Sequence, residues 1–240
     1  MNDKIQNLKI KIFADGANVD EMEGLYKGGI VKGFTTNPTL MKKDGVNNYK
    51  EFAIEVLKRI PDLPISFEVF SDDFDTMEKE AREINSWGRN VFVKIPITNT
   101  KGESSGNLVR KLSNDGINLN VTAILTTEQV KKVVQSISGK SKTIISVFAG
   151  RAADTGRNPI PIIEESLNII RSSPNAELLW ASSRELLNIF QAEECGCHII
   201  TVTNDLLKKL RMVGKDLDEL SLDTVKMFYN DAVSVGYKIL

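Results

Sequence analysis

Asn90-Val91-Phe92-Val93-Lys94-Ile95-Pro96-Ile97-Thr98 is the stretch on which the fold turns. Val, Phe and Ile are strand formers, and so many together predict a buried central strand. One residue breaks the pattern. Lysine is among the residues least often buried, and taking its ammonium out of water is costly. Pro96 lacks an N–H and is expected to end ladder pairing there. Lys94 then sits at the C-terminal end of a central strand and points into a water-poor site. Desolvation favours the neutral amine, and a neutral amine can attack a carbonyl to form a Schiff base. From this strand alone, a lysine snorkelling from an edge strand is the plainer alternative.

Working outward, strand-like and helix-like segments alternate. The strand-like runs are 12–17, 33–38, 64–70, 90–98, 117–124, 142–150, 176–182 and 197–202. Between them lie helical patterns at 19–29, 48–60, 72–87, 106–116, 127–137, 161–173, 183–194 and 204–210, and a longer one at 221–239. Asn37-Pro38 reads as a stop, Ser71-Asp72-Asp73 as a cap, and 151–159 as a long segment after the sixth strand. Eight strand–helix units in 240 residues predict a closed (β/α)8 barrel with a C-terminal helical extension. A doubly wound open sheet is the alternative, but no Gly-rich dinucleotide fingerprint is present. No linker or composition shift divides residues 1–240, which predicts one domain.

Composition narrows the function. Lys and Arg number 31 against 32 Asp and Glu, a net charge of −1 that leaves no nucleic-acid footprint. No apolar run of about 18 residues predicts a membrane span, and the N-terminal stretch lacks the apolar core of a signal peptide. Cys195 and Cys197 are too close for an ordinary disulfide, and with one histidine they make a poor metal site. A reduced, cytoplasmic protein without a metal is expected. His198 falls in a strand-like run and reads as a packing residue.

In a barrel the C-terminal strand ends hold the chemistry. Those ends carry Asp15, Thr35, Asn37, Glu68, Lys94, Asn120, Thr122, Ser146, Arg151, Ser182 and Arg184. Each has an ordinary explanation alone: Asp15 and Asn37 as turn residues, Glu68 facing solvent, Thr122 as a strand former, Arg151 paired with Asp154. Together they supply an amine nucleophile, two carboxylates for proton transfer and two arginines for an anion. Ser182-Ser183-Arg184 is expected to open the helix after the seventh strand, where backbone N–H groups, a hydroxyl and a guanidinium suit a phosphate.

FADGANVDE (13–21), GFTTNPTLM (33–41), FEVFSDDFDTM (67–77), VKIPIT (93–98), LNVTAIL (119–125), FAGR (148–151) and ASSRE (181–185) resemble the small-type transaldolases, a group that includes the fructose-6-phosphate aldolases. The resemblance runs along essentially the whole chain. It implies a (β/α)8 barrel, a Schiff-base lysine, transfer of a dihydroxyacetone unit between sugar phosphates, no cofactor, and a homo-oligomer built as a pentamer or decamer. Residue by residue it implies Lys94 as the Schiff-base lysine and Asp15 as the acid/base at the C4 hydroxyl. Glu68 and Thr122 would hold the catalytic water. Thr35, Asn37, Asn120 and Ser146 would lie about the sugar, and Arg151, Ser182 and Arg184 would hold phosphate. Relatives that release free dihydroxyacetone tend to carry Gln at the position of Glu68 and Tyr at that of Phe148. Glu68 and Phe148 are therefore the transaldolase-like choices. Gly16, Val147 and the 151–159 segment depart from the usual pattern, which leaves room for a different sugar phosphate.

Overall fold

A computed structural model describes residues 3–239 of the chain. Eight parallel strands pair in chain order and close into a barrel, the last against the first. They are β1 (Lys11–Asp15), β2 (Gly33–Thr35), β3 (Ile65–Glu68), β4 (Val91–Pro96), β5 (Leu119–Ile124), β6 (Thr143–Val147), β7 (Ala176–Trp180) and β8 (Ile199–Thr203). Around them run α1 (Asp3–Gln6), α2 (Val19–Gly28), α3 (Pro38–Lys43), α4 (Tyr49–Arg59), α5 (Phe74–Ser86) and α6 (Gly106–Asn114). The second half adds α7 (Thr127–Ser136), α8 (Ala149–Asp154), α9 (Ile160–Ile170), α10 (Leu187–Glu194), α11 (Asn204–Leu207), a 3-10 turn at Lys208–Met212, and α12 (Leu217–Val235). The closed barrel is the fold expected from the alternation, and the open sheet is set aside.

Strand side chains alternate in direction, and both directions are buried here. Outward, Ile12, Phe34, Phe67, Val93, Val121, Ile145, Leu178 and Ile200 belong to the core that also takes in the apolar faces of the helices. Inward, Phe13, Phe92, Ile144, Leu179 and Ile199 make a second, smaller cluster. Two residues further along four of these strands stand Asp15, Lys94, Ser146 and Thr201, while Ala181, just past β7, belongs to the apolar cluster. The apolar layer is thus a floor beneath a mostly polar layer at the C-terminal mouth. Gly33 makes room for the floor, since a Cβ there would meet the Phe13 ring at 2.5 Å.

Three local expectations need correction. Pro96 ends β4, yet Ile97 N–H still donates to Thr122 O at 3.0 Å. Odd-numbered residues of β4 donate to β5, whereas position 96 faces the β3 side, so the missing N–H removes no bond to β5. Asn37-Pro38 does not simply stop a strand: the Asn37 side chain accepts from Leu40 N–H at 3.0 Å and caps α3, with Pro38 in its first turn. The helix after β7 begins at Leu187, so Ser182-Ser183-Arg184 lies in the loop before it and does not open that helix.

Candidate active site

Asp15, Thr35, Asn37, Glu68, Lys94, Thr122, Ser146, Phe148, Arg151 and Ser182 line one cavity of about 400 Å³ at the C-terminal mouth. Lys94 is 7% exposed, which excludes the edge-strand reading. Its Nζ donates to the carbonyl of Thr36 at 2.9 Å and lies 3.1 Å from Glu68 Oε2. Glu68 faces the cavity and not solvent, because it sits beside Lys94 in the β3–β4 register. Its backbone is fixed by Tyr49 of α4. The Tyr49 hydroxyl accepts from Glu68 N–H at 2.6 Å and donates to Glu68 O at 3.1 Å. The ring is wedged edge-on against Phe67 and Trp87. Burial holds the Tyr49 proton more tightly than in a free phenol.

Asp15 ends β1. Thr35 donates to its Oδ1 at 2.8 Å, and Asn37 Nδ2 approaches Oδ2 at 3.4 Å. Removal from water pushes the Asp15 carboxyl above the ordinary carboxylate range; Lys94, Thr35 and Asn37 pull it back, and Glu68 adds to the rise. Asn120 lies beneath the cavity surface, fully buried. It donates to Ser66 Oγ at 2.9 Å and accepts from Ser146 Oγ at 2.7 Å, so it holds Ser146 in place.

An extra residue in β5 shifts its register against β6 between Val121 and Ile124, and Ala123 adopts φ +61°. The bulge re-aims this strand end, and Thr122 Oγ1 is left buried without a hydrogen-bond partner. A buried orphan hydroxyl at a site of this kind suits a polar ligand atom. Ser182, just past β7, takes φ +65°. Strained backbone of this sort clusters at ligand-binding sites.

Arg151 stacks over the Phe148 ring at 5.7 Å and reaches the cavity rim. Arg184 does not line the cavity. Its Nε donates to Asp154 Oδ1 at 2.9 Å, so Asp154 is taken by Arg184 and the ordinary explanation of Arg151 as its partner falls away. His198 precedes β8 at the opposite end of the barrel, where its Nδ1 accepts from Leu178 N–H at 3.2 Å. Cys195 and Cys197 are free, and burial pushes the Cys197 thiol up to about 12. Among the described residues, no group of three or more His, Cys, Asp or Glu is placed to hold a metal ion, and no helix is long and apolar enough to cross a membrane.

Sequence reasoning missed Thr201 of β8, which lines the cavity and meets Thr35 Oγ1 at 2.6 Å. It also missed Tyr49, the Thr36 carbonyl and the small wall formed by Thr39, Leu40 and Ala181. A buried amine with a carboxylate in reach, a second carboxyl across the cavity and a cation at the rim is a constellation for carbonyl chemistry on an anionic substrate.

Fold and site together define a (β/α)8-barrel enzyme. Residues 12–239 match the Transaldolase/Fructose-6-phosphate aldolase family, and the chain belongs to it. A protein of Thermoanaerobacter sp. (strain X514), named "Probable transaldolase", is 36% identical over 234 residues, covering 96% of this chain and 100% of that one. Proteins of the same name from Streptococcus agalactiae serotype V and Thermoplasma acidophilum are 37% and 35% identical, each over 84% of this chain and 89% and 87% of theirs. These relatives make the chain an enzyme of the aldolase or transferase kind. In fold alone, it is similar to a solved mandelate oxidase variant at TM-score 0.56 and 14% identity, over 85% of this chain and 71% of that one.

Proposed function

We propose that the protein is a class I transaldolase, which moves a dihydroxyacetone unit from a ketose phosphate such as fructose 6-phosphate or sedoheptulose 7-phosphate to an aldose phosphate. The observation that carries this reading is Lys94 Nζ, buried and 3.1 Å from Glu68 Oε2, on the same cavity as Asp15. Lys94 Nζ adds to the C2 carbonyl, and the carbinolamine loses water to give an iminium. Glu68 and the Thr122 hydroxyl handle that water. The Asp15 carboxylate takes the proton of the C4 hydroxyl. The C3–C4 bond breaks, the aldose phosphate leaves, and its bonding electrons remain on the lysine adduct as an enamine. Addition of a second aldose phosphate reverses these steps, and hydrolysis frees Lys94.

Arg151 and the Ser182 loop suit the phosphate. Arg184 enters this role only if it leaves Asp154. Phe148 puts no hydroxyl beside the reacting carbons, which favours transfer over protonation and release of dihydroxyacetone. No cofactor is called for. A cytoplasmic setting belongs to the same reading, as does a homo-oligomer: none of the residues of α12 is buried, and Val225, Phe228 and Val233 face outward.

The test is incubation with fructose 6-phosphate and borohydride, with and without erythrose 4-phosphate, followed by peptide mass mapping. A reduced three-carbon adduct on Lys94, diminished by the acceptor and absent from a folded Lys94→Ala variant, is the expected result. An adduct on another lysine, or turnover by Lys94→Ala, would overturn the assignment. A Lys94 adduct indifferent to acceptor would turn the reading to an aldolase.

A further inference from the structure

Thr35 Oγ1 stands between two groups, Asp15 Oδ1 at 2.8 Å and Thr201 Oγ1 at 2.6 Å. A hydroxyl has one proton to give. When Asp15 is ionised, Thr35 donates to it, and the short contact on the other side is a hydrogen bond only if Thr201 donates to Thr35. We infer that Thr201 is a positioning residue: by directing the single proton of Thr35 toward Asp15, it stabilises the Asp15 carboxylate and sets the pH at which Asp15 becomes a base. Nothing about Thr201 touches the lysine chemistry itself.

The direction of the effect follows from the chain of bonds. A hydroxyl that receives a hydrogen bond is a stronger donor, and the gain is largest when the final acceptor is charged. The chain Thr201→Thr35→Asp15 therefore favours the ionised carboxyl over the neutral one. The place is right for such a correction. Thr35 and Thr201 are 3% and 6% exposed, so bulk water does not replace the missing donor. The other groups that act on Asp15 are Asn37, Lys94 and Glu68, and burial pushes its carboxyl upward. A general base at this position needs the opposite push, and the threonine pair supplies part of it. β1 pairs with β2 on one side and β8 on the other, setting Thr35 opposite Asp15 and Thr201 opposite Phe13, so the two hydroxyls meet over the inner face of β1.

The kinetic consequence rests on the proposed role of Asp15, but the proton affinity does not. The experiment is therefore a carboxyl NMR titration of the full chain, with the Asp15 signal assigned by its loss in Asp15→Asn. Thr201→Val, which keeps the shape and removes the hydroxyl, is expected to raise the Asp15 pKa by about one unit, a tenfold gain in proton affinity. Thr201→Ser is expected to leave it unchanged. In parallel, the acid limb of the kcat profile should move upward by the same amount in Thr201→Val with KM held, and return in Thr201→Ser. Should Thr201→Val not fold, Thr201→Ala removes the same hydroxyl. An unmoved Asp15 in the variant without the hydroxyl overturns the inference. An equal shift in Thr201→Ser also overturns it, because packing would then be the cause. If the wild-type protein turns over no ketose phosphate, the function reading fails by itself and the titration still decides the role of Thr201.

Discussion

Gly150 tests how tightly the Arg151–Ser182 end of the cavity is built. It is the second residue of α8, and its N–H donates to Ala181 O at 3.3 Å. A Cβ at this position would stand 1.6 Å from Ser182 O and 2.7 Å from Ser182 C. In Gly150→Ala the first separation must open to at least 3.0 Å, so one of two backbones moves by more than an ångström. Neither is free to do so. Ser182 already sits at φ +65°, and α8 carries Arg151 into the cavity. Overpacking of this kind costs about 1–3 kcal/mol, or a Tm lower by roughly 3–10 °C in a chain of this size. Because Ser182 and Arg151 are the groups displaced, KM for a phosphorylated ketose should rise about tenfold, a loss of ~1.4 kcal/mol of binding. Borohydride trapping of unphosphorylated dihydroxyacetone on Lys94 should change little. Calorimetry and the two kinetic measurements read these effects. Gly24 of α2 is the control: a Cβ there meets nothing within 4 Å, and Ala should be neutral or stabilise by about 0.5–1 kcal/mol. A Gly150→Ala protein with wild-type Tm and KM would refute the reasoning.

Two further outcomes follow from the site. Tyr49→Phe removes both hydroxyl contacts to the Glu68 backbone and leaves its N–H without that partner, which should cost about 1–3 kcal/mol in urea unfolding; an unchanged midpoint would mean that another group holds this strand end. The raised pKa of Asp15 has a sign that can be checked. The folded state binds its proton more tightly than the unfolded chain does, so Asp15 withdraws stability as pH rises above its ordinary value of 3.8. Asp15→Asn should therefore melt higher than wild type at about pH 7, with the gain shrinking toward about pH 4. A gain that grows on acidification would contradict the direction.

The barrel was legible because each strand–helix unit carries its own local signal. Asn18, Asn48, Asp73 and Thr126 cap their helices through their side chains, as residues of these types do. The lysine was legible because a charge inside VFVKIP has few structural uses. What escaped notice did so for physical reasons. Asn37-Pro38 is a turn signal and a helix-start signal at once, and only the Leu40 N–H bond decides between them. Ala149 and Gly150 read as the end of the 142–150 strand and 151–154 as part of a long segment, and α8 has no side-chain cap to mark its start. Arg184 was drawn toward the cavity by its position after β7, whereas its partner Asp154 lies thirty residues back and is set by packing. Thr201 sits in HIITVT, where every residue suits a strand; which of them point inward depends on register across the closed barrel. Tyr49 reads as the start of a helix, and its hydroxyl finds Glu68 only when α4 docks.

The pairing of β1 with β8 also bears on how the protein is made. Asp15 and Thr35 leave the ribosome early, and Thr201 leaves late. Chains generally fold from the N-terminus as they are synthesised, but the seam cannot close until the last strand arrives. Until then β1 offers an open edge, Asp15 lacks its completed hydroxyl chain, and Thr201 and Ser182 have not joined the cavity. A nascent chain that already displays Lys94 therefore holds a lysine without a finished pocket. The cavity around Lys94 is complete only once β8 has closed the barrel.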